Sequence, residues 1–343
     1  MSRLRPLLRL GLRLLGPLLL VYFLFTIDDP RLIWQTLRNA NLWLFGLSIL
    51  LVVPFFLLKG LRWQYILRAW GVPLPLGEAT ALYVIGIFLG VVTPGQAGDA
   101  VKAWYVRKRG YPLSTGLASV VVDRLFDVGV MGLLAASGLY FFWDILPGGR
   151  LLNVLVVAGL LLVVLVGLTL AGSRRLRALV FERVLPRLLP RTLKAKLAER
   201  LAASGSGGVR GLHLAPRDIA LVTALTIAGL VWTFIRVYLL FLAVDTHIPI
   251  GPFIALVAIL SLVQPATPGG VGGRDAALVL VLSALLQIDR DQAVARALSI
   301  SVLLLLLNVE NVLIGFALSL RYPLADMRQE ALGESALSPG EHI

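Results

Sequence analysis

The pattern Thr-Pro-Gly-x-x-Gly occurs twice, at Thr93-Pro94-Gly95-Gln96-Ala97-Gly98 and at Thr267-Pro268-Gly269-Gly270-Val271-Gly272, each time within a strongly apolar stretch. Proline and glycine end helices, and hydrocarbon cannot satisfy the N–H and C=O groups they release. Each copy must therefore be enclosed by protein or face a wet cavity. The copies begin 174 residues apart, about half the chain. At that offset, without a gap, Pro75 falls on Pro249, Gly77 on Gly251, Ala81 on Ala255, Leu82 on Leu256, Ile85 on Ile259 and Arg62 on Arg236. Apolar coincidences carry little weight in such a chain; those of Pro, Gly, Thr and Arg carry more. Duplicated halves with helices broken at corresponding places point to a transporter whose binding site lies near the bilayer midplane. The alternative is that these residues only kink packed helices.

A chain of 343 residues that is 58% hydrophobic and 15% charged, with mean hydropathy +0.87, is expected to be an all-α polytopic membrane protein. No hydrophilic segment is long enough for a separate soluble catalytic domain. Cysteine is absent, which excludes disulfides and thiolate chemistry. His213, His247 and His342 are too scattered to form a metal cluster, and neither metal nor cofactor is expected. In so apolar a chain the net charge of +13 reports cytoplasmic loops and anionic lipid headgroups rather than nucleic acid.

Six full spans are expected, near Leu14–Ile27, Leu42–Leu58, Ala118–Phe142, Leu151–Leu170, Ile219–Val244 and Ala297–Leu320. Arginines precede the first span as in a signal peptide, but Asp28-Asp29-Pro30 follows where a cleavage site would be, so the span is read as uncleaved. The breaker segments lie between spans. Lys59, Arg62 and Arg68 precede the first breaker segment, and Lys102, Arg107, Lys108 and Arg109 follow it. Basic residues on both sides favour one compartment, so the segment near 77–101 is expected to enter the membrane and return. That count puts the N-terminus, 59–76, 102–112, 173–217 and the C-terminus in the cytoplasm, and 28–40, 143–150 and 245–250 outside. The second hairpin, near 251–288, then enters from the opposite face, giving an inverted repeat in the cytoplasmic membrane of a prokaryote.

The chain divides into a first membrane half (1–172), a basic linker (173–217), a second membrane half (218–325) and a polar tail (326–343). The linker carries eleven Lys/Arg against Glu182 and Glu199. It is either an amphipathic helix on the anionic cytoplasmic leaflet or a solvated connector that fixes topology.

Breaker loops at depth aim helix N-termini and free N–H groups into a cavity suited to phosphate. Arg62, Lys102, Arg236 and Arg274 could supply full charges, arginine gripping phosphate as a two-pronged fork. The candidate binding set is these four with Arg124, both loops (Thr93, Pro94, Gly95 and Gly98; Thr267, Pro268, Gly269, Gly270 and Gly272) and the loop-closing Asp99 and Asp275. Asp123 and Asp127 share a helix face beside Arg124, and Glu310 sits inside the last span. A carboxylate at depth is a site hypothesis by default, so these three are candidates for gating or proton coupling. For Asp123 and Asp127 a helix-register ion pair is the alternative.

Arg62-Trp63, Thr93-Pro94-Gly95 with Gly98-Asp99, Val121-Val122-Asp123-Arg124-Leu125 with Asp127, and Pro268 through Leu278 together resemble the lysylphosphatidylglycerol synthase transmembrane, or flippase-like, family. The likeness runs over nearly the whole chain, and aspartate stands at positions 123 and 275 where that pattern would have glutamate. The resemblance implies a membrane unit that moves a modified lipid between leaflets. The aminoacyl-transferase domain fused to some members has no counterpart here. The leading expectation is a flippase or scramblase for an anionic or phosphate-bearing lipid, a phospholipid or a polyprenyl-phosphate-linked one. Its rivals are a membrane glycosyltransferase using a polyprenyl-phosphate sugar, with Asp28-Asp29 as its acidic pair, and a scaffold for a lipid-modifying enzyme. The oligomeric state is left open.

Overall fold

The structure, a computed structural model, describes residues 31–93, 98–138, 141–142, 214–264, 273–286, 288 and 290–322. Among them lie ten helices and no strand: α1 (Arg31–Arg38), α2 (Leu42–Leu50), α3 (Val52–Ala69), α4 (Leu76–Val92), α5 (Val101–Lys108), α6 (Leu113–Gly138), α7 (Pro216–Ala243), α8 (Ile250–Val263), α9 (Gly273–Leu285) and α10 (Arg290–Arg321). The expected spans Leu14–Ile27 and Leu151–Leu170, nearly all of the basic linker and the tail lie outside the described residues.

Among the described residues, three segments can cross a bilayer by length and composition: Leu42–Ala69, Pro216–Ala243 and Asp291–Arg321. The first is α2 and α3 together, interrupted at Leu51. Pro54 is the cause, because it has no N–H to bond the Leu50 carbonyl one turn back. The second expected span was read as ending near Leu58, yet α3 continues to Ala69. Lys59 and Arg62 are therefore mid-helix residues rather than loop charges, and Arg68 alone remains exposed at that end. Helix α6 has 26 residues, about 39 Å at 1.5 Å per residue, and carries Asp123, Arg124 and Asp127 within its length.

The 174-residue offset recurs in the element boundaries. Helix α3 ends at Ala69 and α7 at Ala243; α4 starts at Leu76 and α8 at Ile250, each pair 174 residues apart. Pro75 and Pro249 occupy the N-cap positions with nearly the same dihedrals, φ −61°, ψ 145° and φ −55°, ψ 145°. Both C-termini close in a Schellman turn. The Val72 N–H donates to the Leu67 carbonyl and that of Gly71 to Arg68; in α7, Thr246 donates to Phe241 and Asp245 to Leu242. The left-handed residue is Gly71 in the first half (φ 77°) and Asp245 in the second (φ 52°), glycine and aspartate being types that tolerate that region.

The halves pack reciprocally. Helix α4 lies on α10 of the other half, α8 lies on α6, and the equivalent helices α3 and α7 lie against each other. Small residues permit the first two approaches. A Cβ at Gly138 of α6 would collide with Ala255 of α8, and one at Gly315 of α10 with Phe88 and the Val84 carbonyl of α4. The α2–α3 rod and α7 run antiparallel: Ser48 meets Arg236, Lys59 passes Gly229, Arg62 bonds Thr226 and Tyr65 bonds Asp218.

Polarity is arranged inside out. Leu313 and Leu320 of α10 are 61% and 71% exposed, whereas Arg62, Lys102 and Asp123 are 0% exposed. Val302, Leu305, Leu306, Val309, Leu313 and Phe316 form an exposed apolar stripe along α10, a face for hydrocarbon rather than water. The largest apolar cluster joins α7, α8, α9 and α10 around Leu240, Phe241, Phe253, Leu256, Leu278 and Leu298. A second joins α3, α4 and α5 around Trp63, Leu67, Leu82, Ile85 and Val106.

Candidate functional site

Helices α3, α5 and α6, with the turn that leads into α5, carry seven charged side chains in one linked chain. Lys59 Nζ lies 2.6 Å from Asp127 Oδ1, and Arg62 reaches both oxygens of Asp127 at 2.5 and 2.9 Å. Arg62 Nε donates to Asp123 Oδ1 at 2.8 Å. Lys102 Nζ is 3.5 Å from Asp123 Oδ2 and 2.9 Å from Asp99 Oδ1, and Arg124 Nε donates to Asp99 Oδ2 at 2.9 Å. The order is Lys59, Asp127, Arg62, Asp123, Lys102, Asp99, Arg124, signs alternating, with a cation at each end. Alternation is what makes such a cluster tolerable at low dielectric, since each charge faces opposite neighbours.

Uncharged groups complete it. The Tyr83 hydroxyl donates to Asp123 Oδ2 at 2.9 Å and accepts from Arg62 at 3.2 Å. Thr226 of α7 accepts from Arg62 at 3.1 Å, and Lys102 Nζ stands 4.0 Å from the centre of the Tyr83 ring. Gly86 leaves room for this, because a Cβ there would press on Asp99 and Lys102.

The second half is simpler. Arg236, the counterpart of Arg62, donates to Glu310 Oε2 at 2.8 Å and to the Ser48 carbonyl at 2.9 Å. Among the described residues no donor reaches the buried Glu310 Oε1. Arg274 lies 3.3 Å from its neighbour Asp275.

A cavity of about 240 Å³ lies between the halves. Lys59, Arg124, Asp127, Arg236 and Arg274 reach its wall, with Ser261, Gln264, Asn308 and Asn311 as neutral polar groups and Phe55, Ile87, Val257 and Leu260 among the apolar ones. Arg124 is the most open of the buried-chain cations, its side chain 36% exposed. Among the described residues its two terminal guanidinium nitrogens make no hydrogen bond.

The structure thus brings Asp99, Lys102, Asp123, Arg124 and Asp127 together with Arg62. It does not present Arg62 or Lys102 to the cavity. Both were expected to offer a charge to a phosphate, but each is consumed by two aspartates. Asp99 closes its loop by clasping Lys102 and Arg124. Pro94, Gly95, Thr267, Pro268, Gly269, Gly270 and Gly272 lie outside the described residues. Lys59, Tyr83 and Thr226 belong to the site although none was singled out for it. The signal for Lys59 was available: Lys59 and Arg62 share a face of α3, complementary to the Asp123/Asp127 face of α6.

Thr93 and Gly98 build the first loop. The Thr93 hydroxyl donates to the Leu89 carbonyl and accepts the Gly98 N–H, both at 2.7 Å, and Gly98 lies so close to the Leu89 backbone that no side chain fits. Thr93→Val should therefore lower stability by about 1–3 kcal/mol, since an N–H at depth is left without an acceptor. Thr93→Ser should restore most of it. Unfolding midpoints in detergent micelles check this, and a valine variant as stable as the parent would contradict it.

The family profile described as lysylphosphatidylglycerol synthase TM region matches residues 8–309. A UPF0104 membrane protein of Methanothermobacter thermautotrophicus is 26% identical over 274 residues, covering 76% of this chain and 79% of that protein. One from Pyrococcus horikoshii is 25% identical over 277 residues, covering 76% and 82%. Glycosyltransferase AglD of Haloferax volcanii is 33% identical over 121 residues, covering 32% of this chain and only 19% of AglD. With apolar helices long enough to span and charges turned inward, the chain is an integral membrane protein, and it belongs to the lysylphosphatidylglycerol synthase TM region family.

Proposed function

We propose that this protein moves a phosphate-bearing lipid between the leaflets of the cytoplasmic membrane. The observation that carries the reading is the cationic cavity at the meeting of the two halves, walled by Lys59, Arg124, Arg236 and Arg274 and surrounded by helices with hydrocarbon-facing exteriors. A headgroup entering it exchanges water for charged forks and amides, which lowers the cost of crossing the apolar layer, while the acyl chains stay in lipid.

The architecture proposed with it is an inverted repeat. Its support is the pairing of equivalent helices α3 and α7 in opposite directions, and the reciprocal packing of α4 on α10 and α8 on α6. Helices α4 and α8 have 17 and 14 residues, fewer than the ~20 a span needs. This supports their reading as the first arms of re-entrant hairpins, 77–101 and 251–288, entering from opposite faces. Both termini are cytoplasmic in this arrangement.

The test is a leaflet assay in proteoliposomes with acyl-labelled phospholipids. Purified protein is expected to raise the transfer rate at least ~10-fold over protein-free vesicles, and the double variant Arg124→Gln/Arg236→Gln to abolish the increase. No headgroup-dependent transfer would defeat the reading.

The likeness to AglD supports a second reading, glycosyl transfer from a lipid-linked donor, with Asp28 and Asp29 as the acidic pair. Donor-dependent sugar transfer that disappears in Asp28→Asn/Asp29→Asn would favour it over transport.

A further inference from the structure

The chain of charges has an odd number of members, and both of its ends open on the cavity. Its four cations (Lys59, Arg62, Lys102, Arg124) meet three carboxylates (Asp127, Asp123, Asp99). The other two buried pairs, Arg236–Glu310 and Arg274–Asp275, are each balanced. The loop residues 94–97 and 265–272 bear no Asp, Glu, Lys, Arg or His, nor do the apolar runs Leu14–Ile27 and Leu151–Leu170. Among the described residues the chain of charges therefore carries one positive charge more than its carboxylates balance, in a region where an unbalanced charge costs several kcal/mol.

The surplus is located by the geometry. Among the described residues each carboxylate of the chain is shared by two cations and each interior cation by two carboxylates, while its end members Lys59 and Arg124 have a single carboxylate apiece. Both line the cavity, and Arg124 stands one helical turn from Asp127, on which Lys59 rests. An anion placed there accepts from the open fork of Arg124 and from Lys59, and closes the chain of alternating charges into a ring. One negative charge restores neutrality. The cavity, about 240 Å³, has room for a headgroup.

We infer that the cavity selects a singly charged phosphodiester, bridged by Arg124 and Lys59, over a doubly charged phosphomonoester or pyrophosphate. The inference rests on reading the cavity as a lipid headgroup site, and it specifies the charge the headgroup brings.

Binding tests it apart from transport. Purified protein in an uncharged detergent is titrated with phosphatidylglycerol, a phosphodiester monoanion, and with phosphatidic acid at pH 9, where the phosphomonoester is a dianion; occupancy is read by native mass spectrometry. Phosphatidylglycerol is expected to bind at least ~10-fold more tightly. Lys59→Gln and Arg124→Gln are expected to lose that affinity at least ~10-fold while staying folded, because every carboxylate keeps a cation. Glu310→Gln adds one net charge from the other half without touching the chain, and Asp127→Asn adds one within it; either should turn the preference toward phosphatidic acid. Equal binding of diacylglycerol, or a preference that ignores all four substitutions, overturns the inference. Displacement by soluble glycerophosphoglycerol would mean that a free phosphodiester suffices, and its failure that the lipid is required; both leave the single charge supported. Charge-linked binding without leaflet transfer would defeat the transport reading alone.

Discussion

Arg62→Met should be the most destabilising single substitution in the buried cluster, lowering stability by roughly 3–5 kcal/mol, the cost of breaking a buried ion pair from one side. Arg62 is fully buried and is the middle cation of the chain, joining Asp123 of α6 to Asp127 one turn on and bonding Tyr83 and Thr226 as well. Methionine matches much of its volume and none of its donors. Asp123 and Asp127 would then each depend on one lysine. The contrast with the chain's end is the informative part: Arg124→Gln removes one bond to Asp99 at a partly open site, where Lys102 still serves Asp99, whereas Arg62→Met removes bonds to four side chains at a fully buried one. Arg62→Lys, which keeps the charge but not the fork, should recover part of the loss. Reversible unfolding in mixed micelles measures all three, and an Arg62 variant no weaker than the Arg124 variant would refute the chain as the stabilising unit.

The second large effect is expected where the halves touch. Gly138→Val would push side-chain atoms into Ala255, and Gly315→Val into Phe88 and the Val84 carbonyl, which lies 2.9 Å from where a Cβ would stand. Each should cost about 1–3 kcal/mol as overpacking in a filled interface. The two sites lie in separate helix pairs, so the double variant should show nearly the sum. Compensation should be partial at both sites. Gly138→Ala paired with Ala255→Gly exchanges one methyl across the α6–α8 contact but should regain only part of the loss, because the Ala255 Cα itself lies 2.7 Å from where the new Cβ would stand. At Gly315 the obstacle likewise includes backbone, and no side-chain trim of Val84 can relieve it. Full rescue at either site would show that the contacts are looser than the geometry indicates.

The 174-residue offset and the buried acids were legible because each rests on local chemistry: a repeated spacing, a carboxylate far from a helix end. The offset was read from a handful of matched residues, and the same number governs the ends of α3 and α7 and the starts of α4 and α8. The site of Lys59 and Arg62 was not legible in this way. A Lys–Arg pair closing an apolar run reads as the point where a helix leaves the membrane, and only Asp123 and Asp127, on a helix distant in sequence, reverse that reading. Hydropathy summed along one segment cannot register a charge cancelled by another. The counterparts Arg62 and Arg236 show the limit of the repeat itself: the arginine recurs, but one answers to two aspartates on α6 and the other to a single glutamate on α10. Tyr83 gave no signal because an aromatic residue in an apolar helix reads as packing.

Thr226 apart, the chain of charges has a mechanical meaning. Its links stitch α3, α5 and α6 at several points, and Tyr83 fastens α4 to the same seam, so none of these rods can slide without parting charges on both sides at once. Across the molecule, among the described residues, one ion pair between Arg236 and Glu310 joins α7 to α10, and these helices are held mainly by the apolar cluster around Leu240, Phe241 and Leu256. Charge thus pins one side and apolar packing the other, so the two sides should answer to different perturbations: the first to loss of a charged partner, the second to loss of side-chain volume.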